Sequence, residues 1–344
     1  MATRDNLRPS ITGVQPEAAI TGGELYISGN GLGAGAEMER PVVMIGDVAA
    51  HPLIGSDSLL VVKVPDGASA GDLVVGEGEG ASQVWGCDIG IMIAENLHPV
   101  ANPAVDTFGN IYTTFSGSRG QKVPVAVYRI DLNFNLRPFL NDMMNATAIA
   151  VGADGLIYIS SRFDGIVYQV TPSGNMSVFV EGMGVATGMC FDEQGNLYVG
   201  DRSGTIFKVE PTRQIYVYAT LEPSISAFHL AWGPDQHLYV SGPTTSSYDS
   251  VYRVASNGDV ETFYRGLGRP QGMAFDVDGN MYVVASWSGR KGVMKITPNK
   301  EVSHFLSGPG IVGLAFLPSR AMIVATTNAI HRVDVGVRGY LTSF

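Results

Sequence analysis

The chain has 344 residues, longer than one typical domain, so two domains are expected. Hydrophobic residues make up 45% and charged residues 16%, which suits a large buried β core and includes no apolar run long enough to span a membrane. The net charge of −10 argues against nucleic acid as a partner, because phosphate affinity depends on lysine and arginine.

Residues 1–8 are predicted to be a loose polar lead. They contain no apolar core and do not resemble a signal peptide, so a cytoplasmic protein is expected by default. An extracytoplasmic location stays open if a leader has been removed. Cys87 and Cys190 both lie in apolar, strand-like segments, which favours buried free thiols over a disulfide and leaves pairing open.

Short strands and glycine-rich turns fill residues 9–94, beginning with ITGVQP at 11–16 and GGELYISG at 22–29. VVMIG, VPDGA and GDLVV follow, at 42–46, 64–68 and 71–75. About seven short strands in this space predict a small β-sandwich. The order of these motifs resembles the IPT/TIG immunoglobulin-like domain. That resemblance implies a spacer or an interaction module beside another domain.

A repeated unit fills residues 95–344. Each copy has an apolar strand, a tight turn similar to D-x-x-G-N, a second strand and a third strand. One turn position recurs at spacings of 46, 40, 41, 43 and 41 residues, and is occupied by Gly109, Gly155, Gly195, Gln236, Gly279 and Arg320. A period of this length with several short strands is typical of a β-propeller blade.

The predicted fold class is therefore all-β, an Ig-like β-sandwich followed by a six-bladed β-propeller. The blades are expected at about 97–144, 145–184, 185–225, 226–268, 269–310 and 311–344. The repeat resembles the NHL and SMP-30/gluconolactonase-like propellers. This resemblance indicates the architecture and says little about function, because one fold hosts many activities.

Two segments compete for the fourth strand of the sixth blade. Residues 93–100 align with the segments that begin at 178 and 263, so an N-terminal strand can close the ring. Residues 338–344 can fill the same place from the C-terminus. We favour the C-terminal segment, with residues 84–93 as the last strand of the sandwich.

The first strand of each blade is expected to line the central channel. The channel-facing positions are predicted to be Ala101, Thr147, Thr187, Phe228, Gln271 and Val312. The resemblance to SMP-30 lactonases implies a divalent ion held by Glu, Asn and Asp at such positions. This set contains no carboxylate and no Asn, although a hard cation requires such oxygens. No metal and no cofactor are therefore expected, and a lactonase-type hydrolase that uses calcium or another divalent ion is the alternative function.

His229 lies beside a channel-facing position. A single histidine without a matching acid favours a structural role over that of a general base.

The loops after the second strands carry arginine in four of the six blades, although the chain has only 22 Lys and Arg in total. These residues are Arg119, Arg162, Arg202 and Arg290. Guanidinium groups suit the bidentate capture of carboxylate or phosphate. Phe163 and Trp287 offer stacking surfaces in the same loops. Together with Thr187, His229 and Gln271, these residues predict a ligand site on one face of the propeller.

The predicted function is a non-catalytic binding protein whose partner is an anionic small molecule, a peptide, a glycan end or a protein. The alternative explanation of the arginines is local. Arg162 with Asp164, and Arg202 with Asp201, can form ion pairs that only shape their loops. Exposed pairs of this kind contribute little to stability.

Overall fold

The computed structural model describes residues 8–33, 41–69, 71–117, 121–246 and 248–342. In these ranges the chain is built from short β-strands, and its one helix is a single 3₁₀ turn at Gly78–Gly80. The described residues contain no helix with the length and apolar character needed to cross a lipid bilayer.

Two four-stranded sheets form the N-terminal β-sandwich, and every neighbouring pair of strands is antiparallel. Alternate residues such as Leu25 and Ile27 are fully buried between the sheets, because side chains of a strand point to opposite faces in turn. The first sheet has the order Ser10–Gln15, Glu24–Asn30, Leu59–Lys63 and Pro52–Gly55. The second has the order Val48–Ala50, Val43–Ile45, Asp72–Val75 and Trp85–Gly86.

Six sheets follow, and each forms one blade of the propeller; five have four strands and the sheet of blade 5 has six. Their first strands contact one another in cyclic order, and the first strand of blade 6 meets that of blade 1. Blade 1 contains Ala104–Val105, Ile111–Thr114, Val125–Ile130 and Leu136–Asn141. Blade 2 contains Ala146–Val151, Ile157–Ser161, Val167–Val170 and Met176–Val180. Blade 3 contains Ala186–Phe191, Leu197–Asp201, Thr205–Val209 and Ile215–Thr220. Blades 4 and 5 contain His229–Trp232, Leu238–Ser241, Asp249–Val254 and Val260–Leu267; and Met273–Phe275, Met281–Trp287, Arg290–Ile296 and Val302–Ser307. Blade 6 contains Ile311–Phe316, Met322–Thr326 and Ala329–Val333, with its fourth strand supplied from elsewhere.

The turn between the first two strands is the same in every blade. All six aligned turn residues have a positive φ, between 61° and 84°. Glycine reaches this region without steric cost, whereas Gln236 and Arg320 occupy it as non-glycine residues. The repeat alignment made from the sequence is thus in register with the structure.

An aspartate fixes this turn to the second strand. In blade 3, Asp192 accepts the main-chain N–H groups of Gln194 and Asn196, and its Oδ2 accepts hydrogen bonds from the Asn196 amide at 2.7 Å and the Tyr198 hydroxyl at 3.2 Å. Blades 1 and 5 repeat these contacts around Asp106 and Asp276. This arrangement uses the carboxylate oxygens within the turn, which explains the recurring Tyr of the second strand.

Blade 6 is closed by the strand Ile91–Glu95, which pairs antiparallel with Ala329–Val333. The preference for the C-terminal segment is therefore wrong. The edge that it would occupy is already taken, and Gly336 turns the chain away with a φ of 67°. The chain thus enters the propeller within residues that the sequence assigned to the sandwich.

Blade 5 is extended by two short strands from the N-terminal part of the chain. Ala18–Ala19 pairs in parallel with Val302–Ser307, and Asp88–Ile89 pairs in parallel with Ala18–Ala19. Arg290 of blade 5 also stacks on the ring of Tyr26 in the sandwich, with 4.2 Å from guanidinium carbon to ring centroid. The two domains are therefore joined by main-chain hydrogen bonds as well as by the connecting chain.

Residues 334–342, named here the C-terminal strap, run across the face that carries the first turns. The Val277 N–H donates to the Arg338 carbonyl at 3.0 Å, and the Tyr340 N–H donates to the Phe275 carbonyl at 2.8 Å. The Tyr340 hydroxyl also donates to the Glu193 carboxylate. The strap thereby covers a chamber of about 160 Å³ at this end of the channel, which Cys190 and Trp232 line.

Candidate functional site

The opposite end of the channel opens into a cavity of about 350 Å³, named here the top-face cavity. Its lining comes from the first strands of several blades and from the loops after second strands. Among the described residues, the lining contains His98, Pro99, Val100, Thr147, Arg162, Val185, Thr187, Arg202, Ile225, Ser226, Ala227, His229, Gln271, Val312 and Thr327. Five of the predicted site residues therefore meet in one cavity: Arg162, Arg202, Thr187, His229 and Gln271.

The channel positions predicted from the repeat are mostly correct. Thr147, Thr187, Gln271 and Val312 line the cavity. In blades 1 and 4 the prediction is displaced by one residue: Val100 and His229 line the cavity, whereas Ala101 and Phe228 were predicted. Phe228 is instead buried in the core between blades 3 and 4.

Arg202 is held by neutral acceptors. Its Nε lies 3.4 Å from the Ser224 carbonyl oxygen, and its Nη2 lies 3.3 Å from that of Ile225. Its expected ion-pair partner, Asp201, instead accepts hydrogen bonds from the Val185 N–H at 2.8 Å and from the Ser203 hydroxyl. The structure therefore does not contain the local pairing that was the alternative explanation for this arginine.

Arg162 lies in the neighbouring blade on the same cavity wall. Its Nη2 is 3.4 Å from the Ser116 hydroxyl oxygen, and its main-chain N–H donates to the Asn145 carbonyl at 3.3 Å. Asp164 accepts hydrogen bonds from the Ile166 N–H at 3.1 Å and the Tyr168 hydroxyl at 2.8 Å. Phe163 has 59% of its surface exposed and is not among the residues that line the cavity.

His229 is buried on the channel side of blade 4, with 6% of its surface exposed. Burial lowers its pKa to about 4, so the ring is neutral at neutral pH. In the described chain its ring nitrogens have no hydrogen-bond partner, whereas His98 across the cavity contacts the Ser116 carbonyl oxygen through Nδ1. His98 was not among the predicted site residues, although it lies shortly before Ala101, the channel-facing position predicted for blade 1.

The Thr187 hydroxyl group both donates and accepts a hydrogen bond. Its Oγ1 donates to the Gly200 carbonyl at 2.8 Å and accepts the Phe228 N–H at 3.2 Å. It therefore shapes the cavity floor between blades 3 and 4. The main chain of Gln271 is likewise fixed, by the Ser241 hydroxyl at 2.8 Å and the Val284 carbonyl at 2.8 Å, while its side chain lines the cavity.

Two predicted residues lie elsewhere, and a third falls outside the described residues. Trp287 and Arg290 pair with each other at the end of a long hairpin in blade 5 and line a cleft against the sandwich. The second strand of this blade has seven residues, so the hairpin extends past the position at which the other blades form an open loop. Arg119 lies outside the described residues.

No group of three or more His, Cys, Asp or Glu side chains in the described ranges is placed to hold a metal ion. The lining residues of the top-face cavity in those ranges include two histidines and no carboxylate. Both cysteines are free, and burial raises the pKa of Cys87 to about 12 and that of Cys190 well above its usual value.

Comparison with known proteins agrees with this two-part architecture. The family described as the IPT/TIG domain matches residues 9–83. A solved structure provisionally described as a gluconolactonase has a TM-score of 0.61 and 16% identity, and the alignment covers 73% of this chain and 93% of that one. Virginiamycin B lyase from Staphylococcus aureus has a TM-score of 0.51 and 12% identity, with 70% of this chain and 96% of that chain covered.

A third similar structure spans both domains. An auxiliary nutrient binding protein from Bacteroides thetaiotaomicron VPI-5482 has a TM-score of 0.57 and 12% identity, with 96% of this chain and 98% of that chain covered. No curated protein matches the chain. Residues 9–83 therefore match the IPT/TIG domain, and the rest of the chain shares its propeller fold with these solved structures. Identities this low establish the fold alone.

Proposed function

We propose that this is a binding protein whose top-face cavity captures the carboxylate or phosphate group of a small molecule, a peptide or a glycan end. One observation carries the proposal. The described lining of this cavity has two arginines and no carboxylate, in a chain whose net charge is −10. A concave site lined by arginine and by no carboxylate favours anions over cations.

The orientation of Arg202 supports the same conclusion. Its guanidinium is fixed by two carbonyl oxygens, which satisfy some of its five N–H donors and leave its charge in place. An oriented guanidinium loses less side-chain entropy when it binds a planar anion. Apolar side chains such as Val185, Ile225 and Val312 line the rest of the cavity and suit the uncharged body of a ligand.

The auxiliary nutrient binding protein gives independent, weaker support. It is a binding protein by its description, and its similarity to this chain extends over both domains. The gluconolactonase-like neighbour gives a lactonase-type hydrolase support of the same kind. We prefer the binding proposal because no group of three or more His, Cys, Asp or Glu in the described residues is placed to hold a metal ion. The compartment in which the protein works stays a prediction from the N-terminal sequence.

The test compares wild type with the double variant Arg162→Gln and Arg202→Gln by isothermal titration calorimetry. Acetate, inorganic phosphate and the neutral analogue acetamide are the probes. We expect saturable binding of an anion, no binding of acetamide, and at least a tenfold loss of affinity in the double variant.

The matched control is Arg253→Gln. Arg253 is already paired with Asp235 at 3.0 Å and with Glu261 at 2.9 Å, away from the cavity lining. This variant should bind the anion as wild type does. Equal losses in both variants, or anion binding that survives in the double variant, would overturn the proposal. Chelation of divalent ions should leave the wild-type affinity unchanged.

A further inference from the structure

A second cavity, of about 490 Å³, lies in the wedge between the sandwich and blade 6 and is named here the wedge cavity. Its walls come from three parts of the chain. The sandwich contributes the loop at residues 66–69, and the closing strand contributes Ile91 and Met92. Blade 6 contributes Thr326, Asn328, Ala329 and His331. The cavity is of the size that small-molecule sites in proteins occupy, roughly 300–1,000 Å³.

The lining of the wedge cavity is mainly apolar, with Ile20, Ala68, Ile91, Met92 and Pro309 among its residues. Asp66 and Asn328 lie at its exposed rim. Thr326 also lines it, but its hydroxyl is engaged with the Ala329 carbonyl and with the N–H groups of the same hairpin. A bound molecule would therefore find an apolar wall and few free polar groups.

His331 is the exception. It lies on the third strand of blade 6, opposite Met92 of the closing strand, and only 6% of its surface is exposed. Its Nδ1 is sealed from solvent and has no hydrogen-bond partner among the described residues. The ring lines the cavity, so Nε2 is the nitrogen that can meet a bound molecule.

The sealed Nδ1 decides the tautomer. An unpaired buried N–H is rarer in proteins than an under-satisfied acceptor, so the proton belongs on Nε2. Burial lowers the pKa of His331 to about 4, which keeps the ring neutral at neutral pH. The wedge cavity thus presents the Nε2–H group of His331 in mainly apolar surroundings.

We propose that the wedge cavity is a binding site for a neutral, mainly apolar small molecule that carries an acceptor oxygen, with His331 as the residue that recognises this oxygen. The ligand would touch the sandwich and blade 6 together, so its binding stabilises the contact between the two domains. This site is separate from the top-face cavity, with which it shares no lining residue, and it requires no charge on the ligand.

The test uses the full chain labelled with ¹⁵N in its histidines. The ring nitrogens of His331 report the tautomer directly, and the Nε2–H form is expected in wild type. Acetophenone and ethylbenzene then serve as matched probes, because they differ by the carbonyl oxygen. Acetophenone should shift the His331 signals saturably, and ethylbenzene should bind at least about tenfold more weakly, the order expected for one buried hydrogen bond.

A variant and its control complete the design. His331→Phe keeps an apolar wall and should weaken acetophenone binding about tenfold. The control His304→Phe removes a histidine that lines other clefts and should bind acetophenone as wild type does. Because His331→Phe can fail to fold, the tautomer and the wild-type titration stand without it. A Nδ1–H tautomer, or equal binding of the two probes, would overturn the proposal.

Discussion

The guanidinium Nη2 of Arg202 lies 3.3 Å from the main-chain carbonyl oxygen of Ile225. This contact orients the arginine without cancelling its charge, because a carbonyl is a dipole and carries no net charge. The residue next to it, Asp201, is turned into blade 3 by the Val185 N–H and the Ser203 hydroxyl. Asp201 and Arg202 therefore have different partners, and Arg202 lies on the cavity wall.

We predict that Arg202→Lys retains part of the anion affinity that Arg202→Gln loses. Lysine keeps the charge but cannot form the planar pair of hydrogen bonds, so the affinity for acetate should lie between those of wild type and Arg202→Gln. Calorimetric titration of the three proteins measures this order. The idea fails if the lysine variant binds no better than the glutamine variant, since charge would then contribute nothing.

The aspartate–tyrosine contacts should stabilise the blades. Tyr198→Phe removes the hydroxyl that donates to Asp192 and should lower the free energy of unfolding by about 1.5–3 kcal/mol, the range for a hydrogen bond to a charged group. Urea denaturation measures the change. Tyr216→Phe is the matched control in the same blade, because Tyr216 is 47% exposed and should give a change below about 0.5 kcal/mol. Similar values for the two variants would show that the contact has no such effect.

Stability should fall as the pH is lowered from about 6.5 towards 4. Burial lowers the pKa of His229 and of His331 from 6.5 to about 4. Between these values the unfolded chain binds the protons and the folded chain does not, so each histidine removes up to about 1.4 kcal/mol of stability per pH unit.

Urea denaturation at several pH values tests this dependence. The slope should be smaller in the variant that carries both His229→Gln and His331→Gln. A wild-type stability that does not change between pH 6.5 and 4 would contradict the prediction.

The C-terminal strap should protect the chamber beneath the channel. Cys190 lines this chamber together with Tyr340 and Leu341 of the strap. A chain that ends at Val337 loses the contacts of Arg338 and Tyr340 with blade 5. We expect a thiol reagent to label Cys190 at least about tenfold faster in that chain, because the strap residues that cover the chamber are removed. Cys87, in the sandwich core, is the internal control, and equal acceleration at both thiols would indicate general unfolding instead.

The repeat was predictable from sequence because its determinants are local. The turn position, its positive φ and the strand pattern around it all lie within a few residues of one another, as Gly195 shows. The channel-facing residues followed from that register. Thr187 and Gln271 were placed correctly for this reason, whereas blades 1 and 4 were offset by one residue.

The closing strand and the arrangement around Arg290 were not predictable in the same way. The strand Ile91–Glu95 pairs with residues more than 230 positions later, and a sheet edge accepts either end of the chain equally well by pattern. Arg290 follows the aligned turn residue Gly279 by 11 residues, whereas Arg202 follows Gly195 by 7. In blade 5 the pairing of the second and third strands continues as far as Trp287 and Arg290, so Arg290 lies within the hairpin and not in an open loop. The glycine in this loop does not reveal the length of the hairpin.

The most direct test of the account is where an anion binds in solution. In a chain with ¹⁵N-labelled arginines, the Nε–H signals of Arg162 and Arg202 should shift together on titration with acetate or phosphate and fit one dissociation constant. The signal of Arg253, already paired with Asp235 and Glu261, should not follow that curve. Signals of Arg162 and Arg202 that do not shift, or that shift no more than that of Arg253, would contradict the proposed site.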